Sequence, residues 1–195
     1  MEREFKWAAN AEQFTAICEA LSLYPDHDKK RSMDATYFDT PNQLLRERKI
    51  GLRLRQENTQ TICCMKLRNA AQNGLHVHEE YECPAMTLAE GLSKLPSVGA
   101  PAELCHTLAK AILIPIARVR FSRLPIPWNH DEFCAELCLD CGYLSNDRQE
   151  VPFCEIECEY QSGKISAFEA ACTQLAHSFA LCAEPHSKLA RALSL

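Results

Sequence analysis

Cys154-Glu-Ile-Glu-Cys-Glu-Tyr160 places glutamates at every second position, as Glu155, Glu157 and Glu159. Successive side chains of an extended strand point to opposite faces, so these carboxylates share one face and the less polar side chains share the other. Like charges along one face repel each other unless a cation or a basic wall lies opposite. The stretch therefore predicts a strand whose acidic face lines a metal or ligand site.

The first residues of the chain show the same alternation. In Glu2-Arg-Glu-Phe-Lys6, the side chains of Glu2, Glu4 and Lys6 fall on one face of a strand. Two acidic rows from opposite ends of the sequence can face a single cavity.

Six further segments carry charged residues on one parity and apolar residues on the other, which is typical of strands. Any one of them alone is typical of a solvated sheet face. Their combination with the two acidic rows favours a shared interior. The segments are residues 36–39, 51–56, 62–68, 77–83, 118–121 and 136–140.

Four segments with helical spacing of apolar residues lie between these strands, at residues 11–23, 87–95, 102–113 and 166–181. Such helices need an apolar surface to cover, and the strands offer one on the side away from their charges. Closing the sheet removes its edges and encloses a polar tunnel. We therefore expect an α+β fold, an eight-stranded antiparallel closed β-barrel with helices packed outside, in one domain of residues 1–195. Prolines mark loops at residues 96–101 and 125–127.

Composition restricts the function classes. A net charge of −5 argues against nucleic acid as a partner, and no run of residues is long and apolar enough for a membrane span. A strand at the second residue leaves no room for a secretory signal, so we expect a cytoplasmic protein. The 12 cysteines are then expected to be free thiols, and their spacing disfavours a structural zinc site.

The charged faces suit a phosphate polyanion together with a metal. Guanidinium groups bind phosphate oxygens through two hydrogen bonds, and ammonium groups add compact positive charge. Carboxylates repel phosphate but hold Mg²⁺ or Mn²⁺, which complete their coordination with water and substrate oxygens. The candidate phosphate ligands are Lys6, Arg53, Arg55, Lys66, Arg118 and Arg120; the candidate metal ligands are Glu2, Glu4, Glu155 and Glu157.

Several motifs occur together in one order along nearly the whole chain. They are Glu2-Arg-Glu-Phe-Lys6, Tyr37-Phe-Asp-Thr-Pro41, Gly51-Leu-Arg-Leu-Arg55, Lys66 after an apolar strand, and Glu155-Ile-Glu-Cys-Glu159. In these motifs the sequence resembles the CYTH superfamily, also called triphosphate tunnel metalloenzymes, and is most similar to bacterial inorganic triphosphatases.

The resemblance implies metal-dependent hydrolysis of inorganic triphosphate to pyrophosphate and phosphate by metal-activated water inside a basic tunnel. It adds Asp140 as a metal ligand and Lys188 as a triphosphate ligand, and it implies catalytic roles for Lys6, Lys66 and Glu157. The expected cofactor is Mg²⁺ or Mn²⁺, and the expected partner is a small-molecule triphosphate, with a homodimer as a further option.

Several alternatives stay open at this point. The activity can instead be hydrolysis of an organic triphosphate, adenylate cyclisation, or noncatalytic polyphosphate binding. His78 is either a tunnel-wall residue or a solvent-facing rim residue. Arg46 and Arg68 have the parity of the cavity but also suit the surface. Glu80 and Glu136 suit either a place around the metal or the orientation of arginines, and Glu159 suits either the metal or the orientation of its basic neighbours.

Overall fold

The fold is taken from a computed structural model that describes residues 1–72 and 74–195, without the side chains of residues 68–72. The side chain of Arg68 therefore lies outside the described part of the chain. Within that part, nine strands form one sheet. They are β1 (Glu2–Ala8), β2 (Arg31–Asp39), β3 (Ile50–Glu57), β4 (Gln60–Gln72), β5 (Leu75–Pro84), β6 (Ile114–Asn129), β7 (Phe133–Ser145), β8 (Glu150–Gly163) and the short β9 (Cys182–Ala183).

Eight of the strands close into an antiparallel barrel, as the sequence predicts. Their order is β5-β4-β3-β2-β6-β7-β8-β1, and pairing of β1 with β5 completes the circle, while β9 adds to β1. β1 lies between β5 and β8, with Glu2 opposite His78 and Lys6 opposite Glu157. The two acidic rows are therefore neighbours inside one barrel.

Two pairs of helices cover the outside of the barrel. α1 (Ala11–Ala20) and α5 (Ile165–Ser178) bury Phe14, Ile17 and Phe168 against the outward side chains of β1, β7 and β8. α3 (Leu88–Lys94) and α4 (Ala102–Ala109) bury Leu92 and Leu108 against β3, β4 and β5. A single turn, α2 (Leu44–Glu47), connects β2 to β3. All helices in residues 1–72 and 74–195 are too short or too polar to cross a membrane.

The last helix, α6 (Lys188–Leu193), departs from the expectation that helices pack outside. Ala192 of α6 packs with Ala35 and Val119 in one buried apolar cluster. Ala35 pairs with both Arg55 and Val119, so all three share the inward face of their strands. α6 therefore packs on the inner surface at one end of the barrel.

β6 is longer than the predicted strand and continues through two prolines. Pro125 and Pro127 pair with β7, although the sequence places them in a loop. Pairing of β6 with β2 ends at Arg123, so the segment beyond it has a strand neighbour on one side only. Proline lacks a backbone N–H and is tolerated at such an unpaired edge.

The cysteines follow the expectation of free thiols with one exception. Cys141 and Cys154 are directly paired residues of β7 and β8, with Cα atoms 4.2 Å apart, and they form a disulfide. The expectation is wrong for these two residues because the strand register, which spacing alone does not give, brings them together. The other cysteines are free, and most are buried among apolar side chains.

Phe168 offers a test of the core beneath α5. It is fully buried, and its ring centroid lies 5.8 Å from that of Phe5 and 5.7 Å from that of Phe133. We expect Phe168→Ala to lower the free energy of unfolding by about 3–5 kcal/mol, because the substitution leaves a cavity. Urea unfolding followed by circular dichroism measures this loss. Ile165→Ala, at a 39% exposed position of the same helix, is the control; equal losses in both variants would contradict the packing described.

Candidate active site

Two adjoining cavities lie inside the barrel, with volumes of about 620 and 670 Å³. One extends toward α2 and α6, and the other extends toward the opposite end, where β1 and β2 begin. Both share a central set of residues, so they are two halves of one charged tunnel. The shared residues are Glu4, Lys6, Tyr37, Arg53, Lys66 and Ser187.

Lys6 connects the two acidic strands at the centre. Its Nζ lies 3.0 Å from Glu4 Oε1 and 2.8 Å from Glu157 Oε1, and the residue is only 7% exposed. Burial alone would lower the pKa of Lys6, but the carboxylates of Glu157 and Glu4 outweigh it and raise the pKa. Lys6 is therefore a fixed positive charge inside the tunnel, where the sequence predicts it.

Lys188 enters an acidic cluster formed by Asp140, Glu155 and Glu157. Its Nζ lies 2.8 Å from Asp140 Oδ2 and 2.9 Å from Glu157 Oε1, and it also contacts Glu155. Arg123 pairs with Asp140 through two hydrogen bonds of 2.8 and 2.6 Å. The predicted triphosphate ligand Lys188 thus lies among predicted metal ligands. Its role toward phosphate stays a prediction, which requires its ammonium to exchange a carboxylate for a phosphate oxygen.

Glu157 is the most heavily paired carboxylate in this cluster. It contacts Lys6, Lys188 and Arg123. Burial alone would raise the pKa of Glu157, but Lys188 and Lys6 reverse this effect and hold the pKa well below its ordinary range. Glu157 is therefore ionised, and the cations around it compensate its charge.

A second cluster lies across the tunnel on β1, β4 and β5. Lys66 Nζ is 2.7 Å from Glu80 Oε2 and 3.0 Å from His78 Nε2, and His78 Nε2 is 2.7 Å from Glu2 Oε2. His78 is only 6% exposed, so it belongs to the tunnel wall and not to a solvated rim. Burial lowers the pKa of His78, but hydrogen bonds to Glu2 and Glu80 outweigh burial and raise it.

Arg53 and Arg55 face the tunnel from β3, as predicted. Arg53 lies 3.1 Å from Glu80 and 3.3 Å from the Tyr37 hydroxyl, and Arg55 lies 3.2 Å from both Glu57 and Glu82. Carboxylates on β3 and β5 therefore orient both guanidinium groups. Among the roles left open for Glu80, its contacts with Arg53 and Lys66 show that it positions tunnel cations.

The predicted placement of Arg118 and Arg120 in the tunnel is wrong. Val119 between them faces inward beside α6, so both arginines point outward. Their side chains are 53% and 47% exposed and pair with Asp34 and Glu150 on the outer surface. The interior is apolar beside α6, and the rule that charged parity marks the inner face therefore fails there.

Arg123 is the inward-facing arginine of β6 that the sequence analysis missed. It lines the tunnel, contacts Asp140 and Glu157, and shares its parity with Val119 and Phe121. Extending the alternation of residues 118–121 gives Arg123 the parity of Val119 and Phe121, which the charge rule assigns to the outer face. The wrong assignment of Arg118 and Arg120 to the interior therefore also hid Arg123.

The carboxylates of the tunnel fit a hard divalent cation. Ligand oxygens of Asp140, Glu155 and Glu157 lie within 4.8 Å of one another, and Glu2, His78 and Glu80 form a second such group. The first group is already covered by Lys188 and Arg123. Glu159, opposite Glu4 in the register, has no ion-pair partner within the described ranges.

The raised pKa of Glu159 indicates an excess of negative charge around Glu2, Glu4 and Glu159. Burial and the nearby carboxylates of Glu2 and Glu4 raise its pKa to about 7. Oxygen ligands that repel one another in this way are suited to a divalent cation. The residues present therefore fit a divalent metal at the groups whose ligand atoms converge, and the nearby charge of Glu159 adds to the negative potential there.

Comparisons with known proteins agree with this geometry. Residues 1–192 match the CYTH domain family. An inorganic triphosphatase from Haemophilus influenzae is 29% identical over 130 residues, which span 67% of this chain and 36% of that relative. The chain therefore matches only about a third of the relative's length.

Solved structures share the fold at low sequence identity. A Hippeastrum protein considered an adenylyl cyclase and described as having a dominant triphosphatase activity superposes with a TM-score of 0.73 at 19% identity, covering 100% of this chain and 96% of that one. A Pyrococcus horikoshii protein superposes with a TM-score of 0.65 at 15% identity, covering 100% and 99% of the two chains.

The cluster around Lys188 gives a stability prediction. We expect Lys188→Met to lower the free energy of unfolding by about 3–5 kcal/mol at neutral pH, because buried carboxylates lose a cation. Glu157 stabilises the fold above its unfolded pKa of 4.5, and this contribution is lost as pH falls through its lower folded pKa. The difference between variant and wild type should therefore shrink in acid, where carboxylates become neutral.

Denaturant unfolding of both proteins at several pH values measures this difference. Lys164→Met is the matched control, since Lys164 pairs with Glu132 at 2.9 Å on the surface and its side chain is 63% exposed. We expect little change in that control. A similarly small effect of Lys188→Met would show that the buried cluster does not depend on its ammonium.

Proposed function

Because the chain belongs to the CYTH family, we propose that it hydrolyses inorganic triphosphate to pyrophosphate and phosphate with Mg²⁺ or Mn²⁺. The observation that supports this most directly is the closed tunnel, in which buried ammonium and guanidinium groups lie beside buried carboxylates. We also propose that residues 1–195 act as one domain in the cytoplasm on a small-molecule triphosphate.

An exchange of ion-pair partners explains how one tunnel holds both a polyanion and a cation. Lys66, Arg53 and Arg55 are now paired with carboxylates on β3 and β5. Phosphate oxygens replace those carboxylates as acceptors for the cations, since guanidinium and ammonium groups bind phosphate strongly. The released carboxylates would then be available to hold a divalent metal, which would keep the buried network compensated.

The protein's own groups position the reactants. Lys6 and Lys66 at the centre hold the phosphate chain, while carboxylates from the predicted set would hold the metal. That set is Glu2, Glu4, Asp140, Glu155 and Glu157. When bound, the metal supplies neutralisation of developing charge and polarisation of an attacking water. Glu4 and Lys6 are buried at the centre, so their charges are screened less by water than charges on the outer surface.

Phosphate release from several triphosphates tests this function. The purified protein is incubated with Mg²⁺ or Mn²⁺ and with inorganic triphosphate, thiamine triphosphate or ATP. We expect the fastest phosphate release from inorganic triphosphate and none after chelation with EDTA. Faster turnover of an organic triphosphate, or formation of cyclic AMP from ATP, would support the corresponding alternative. Binding without turnover of any of them would leave a noncatalytic phosphate-binding module.

Two variants test the residue assignment. Glu157→Gln should remove metal-dependent turnover, because an amide carries no charge for the metal or the adjacent cations. Lys66→Ala should raise KM about ten-fold or more with a smaller effect on kcat, since a charge-assisted contact to phosphate is lost. Steady-state kinetics on folded protein, checked by thermal melting, measures both.

Arg120→Ala is the control for these variants because the side chain lies on the outer surface. Its kinetics should match the wild type. Wild-type kinetics in Glu157→Gln and Lys66→Ala would refute the site.

A further inference from the structure

The two ends of the tunnel differ in charge. The half that extends toward α2 and α6 adds Arg46 and Lys49 to the central residues and no further carboxylate. We call this end the basic mouth. The opposite half adds seven glutamates and only four lysines and arginines to the shared residues, so the side chains that it adds are predominantly acidic. We call that end the acidic mouth, with Glu57, Glu82 and Glu136 among its residues.

Arg46 and Lys49 differ from the deeper cations in their ion pairing within the described part of the chain. Each tunnel-lining lysine and arginine of the centre pairs with at least one carboxylate. By contrast, Arg46 and Lys49 are exposed and form no ion pair within residues 1–72 and 74–195. The one side-chain hydrogen bond of Arg46 goes to the neutral Gln43, at 3.4 Å. Both cations are therefore available to an incoming anion.

The loop that carries Arg46 is held in place by a buried carboxylate. Asp39 is 1% exposed and accepts hydrogen bonds from the backbone N–H groups of Thr40 at 2.7 Å, Leu45 at 2.8 Å and Arg46 at 3.0 Å. These bonds fix the α2 turn at the end of the barrel. Such a fixed turn lowers the entropic cost of holding a cation at the mouth.

The remaining wall of the basic mouth offers no competing negative charge. Leu189, Ala190 and Leu193 of α6 form one side of it, together with Ile50 and Gly51 at the start of β3. His76, also in this half, places Nε2 2.8 Å from the backbone oxygen of Glu184. An anion approaching this end meets two unpaired cations, whereas an anion at the acidic mouth meets a surplus of carboxylates.

We propose that the basic mouth is the entrance for the phosphate chain and that Arg46 and Lys49 form a phosphate subsite outside the central one. This rests on the function proposed above. Arg53 lies within β3 and its side chain is only 13% exposed, whereas Arg46 and Lys49 lie in and just after the α2 turn and are exposed at the mouth. A phosphate chain held at Arg53 reaches these two residues only by extending outward, so the outer subsite binds a further phosphate of a longer linear chain.

The subsite has two measurable consequences. Linear polyphosphates longer than triphosphate gain contacts at Arg46 and Lys49, so their affinity depends on these residues more than that of triphosphate does. Unpaired surface cations also attract anions from a distance, and this attraction weakens as salt screens it. Removing the two charges should therefore reduce the salt dependence of binding.

Binding without turnover tests the entrance directly. Titration calorimetry in EDTA, at low and high KCl, compares inorganic triphosphate with a linear polyphosphate of about ten phosphates for the wild type and for Arg46→Gln/Lys49→Gln. We expect the double variant to bind the longer chain roughly ten-fold more weakly at low salt and triphosphate less than about three-fold more weakly. The salt dependence for the longer chain should become shallower.

Arg118→Gln/Arg120→Gln is the matched control because it removes the same charge from the outer surface. Its affinities should equal those of the wild type. Equal losses of affinity in both double variants would show that net charge alone causes the effect, which contradicts the subsite. Wild-type affinity of Arg46→Gln/Lys49→Gln for the longer chain would also contradict it.

The outcome is separable from that of the proposed function. If the protein binds phosphate chains through Arg46 and Lys49 but hydrolyses none with Mg²⁺ or Mn²⁺, the entrance stands and the triphosphatase proposal fails. If the protein hydrolyses triphosphate while the double variant binds both ligands like the wild type, the triphosphatase proposal stands and the proposed entrance fails.

Discussion

Compensation of buried negative charge at Glu157 is the constraint on which the rest of this structure depends. Its carboxylate contacts Lys6 from β1, Arg123 from β6 and Lys188 from α6. An uncompensated carboxylate at this depth would cost several kcal/mol, so these elements have to meet at one point. The closure of the barrel through β1 and the inward position of α6 both serve this requirement.

The same compensation makes the tunnel suited to a substrate that brings negative charge and a metal that brings positive charge. In the structure, the arginines of the tunnel pair with carboxylates, where the proposed substrate would supply phosphate oxygens. Lys188 pairs with carboxylates that could instead hold a metal. Under the proposed function, binding is an exchange of partners, which avoids a large change in buried charge. The basic mouth differs because Arg46 and Lys49 form no ion pair with any residue in the described part of the chain.

Alternation of charge predicted the barrel because a period of two fixes which side chains share a face. That rule placed Lys6, Arg53, Arg55 and Lys66 correctly, since the interior around them is polar. It failed at Arg118 and Arg120, where α6 makes the interior apolar and sends the charged parity outward. It also missed Arg123, because this residue shares the parity of Val119 and Phe121, which the rule assigned to the outer face.

The sequence by itself determined the strands, their inward and outward faces over most of the barrel, and the presence of two acidic rows among basic ones. These properties are local, because backbone geometry and side-chain chemistry decide them within a few residues. Only the tertiary structure decided which cation meets which carboxylate, the disulfide between Cys141 and Cys154, the inward packing of α6, and the opposite charge of the two mouths. Those properties depend on strand register and on contacts between residues distant in sequence, which no local pattern specifies.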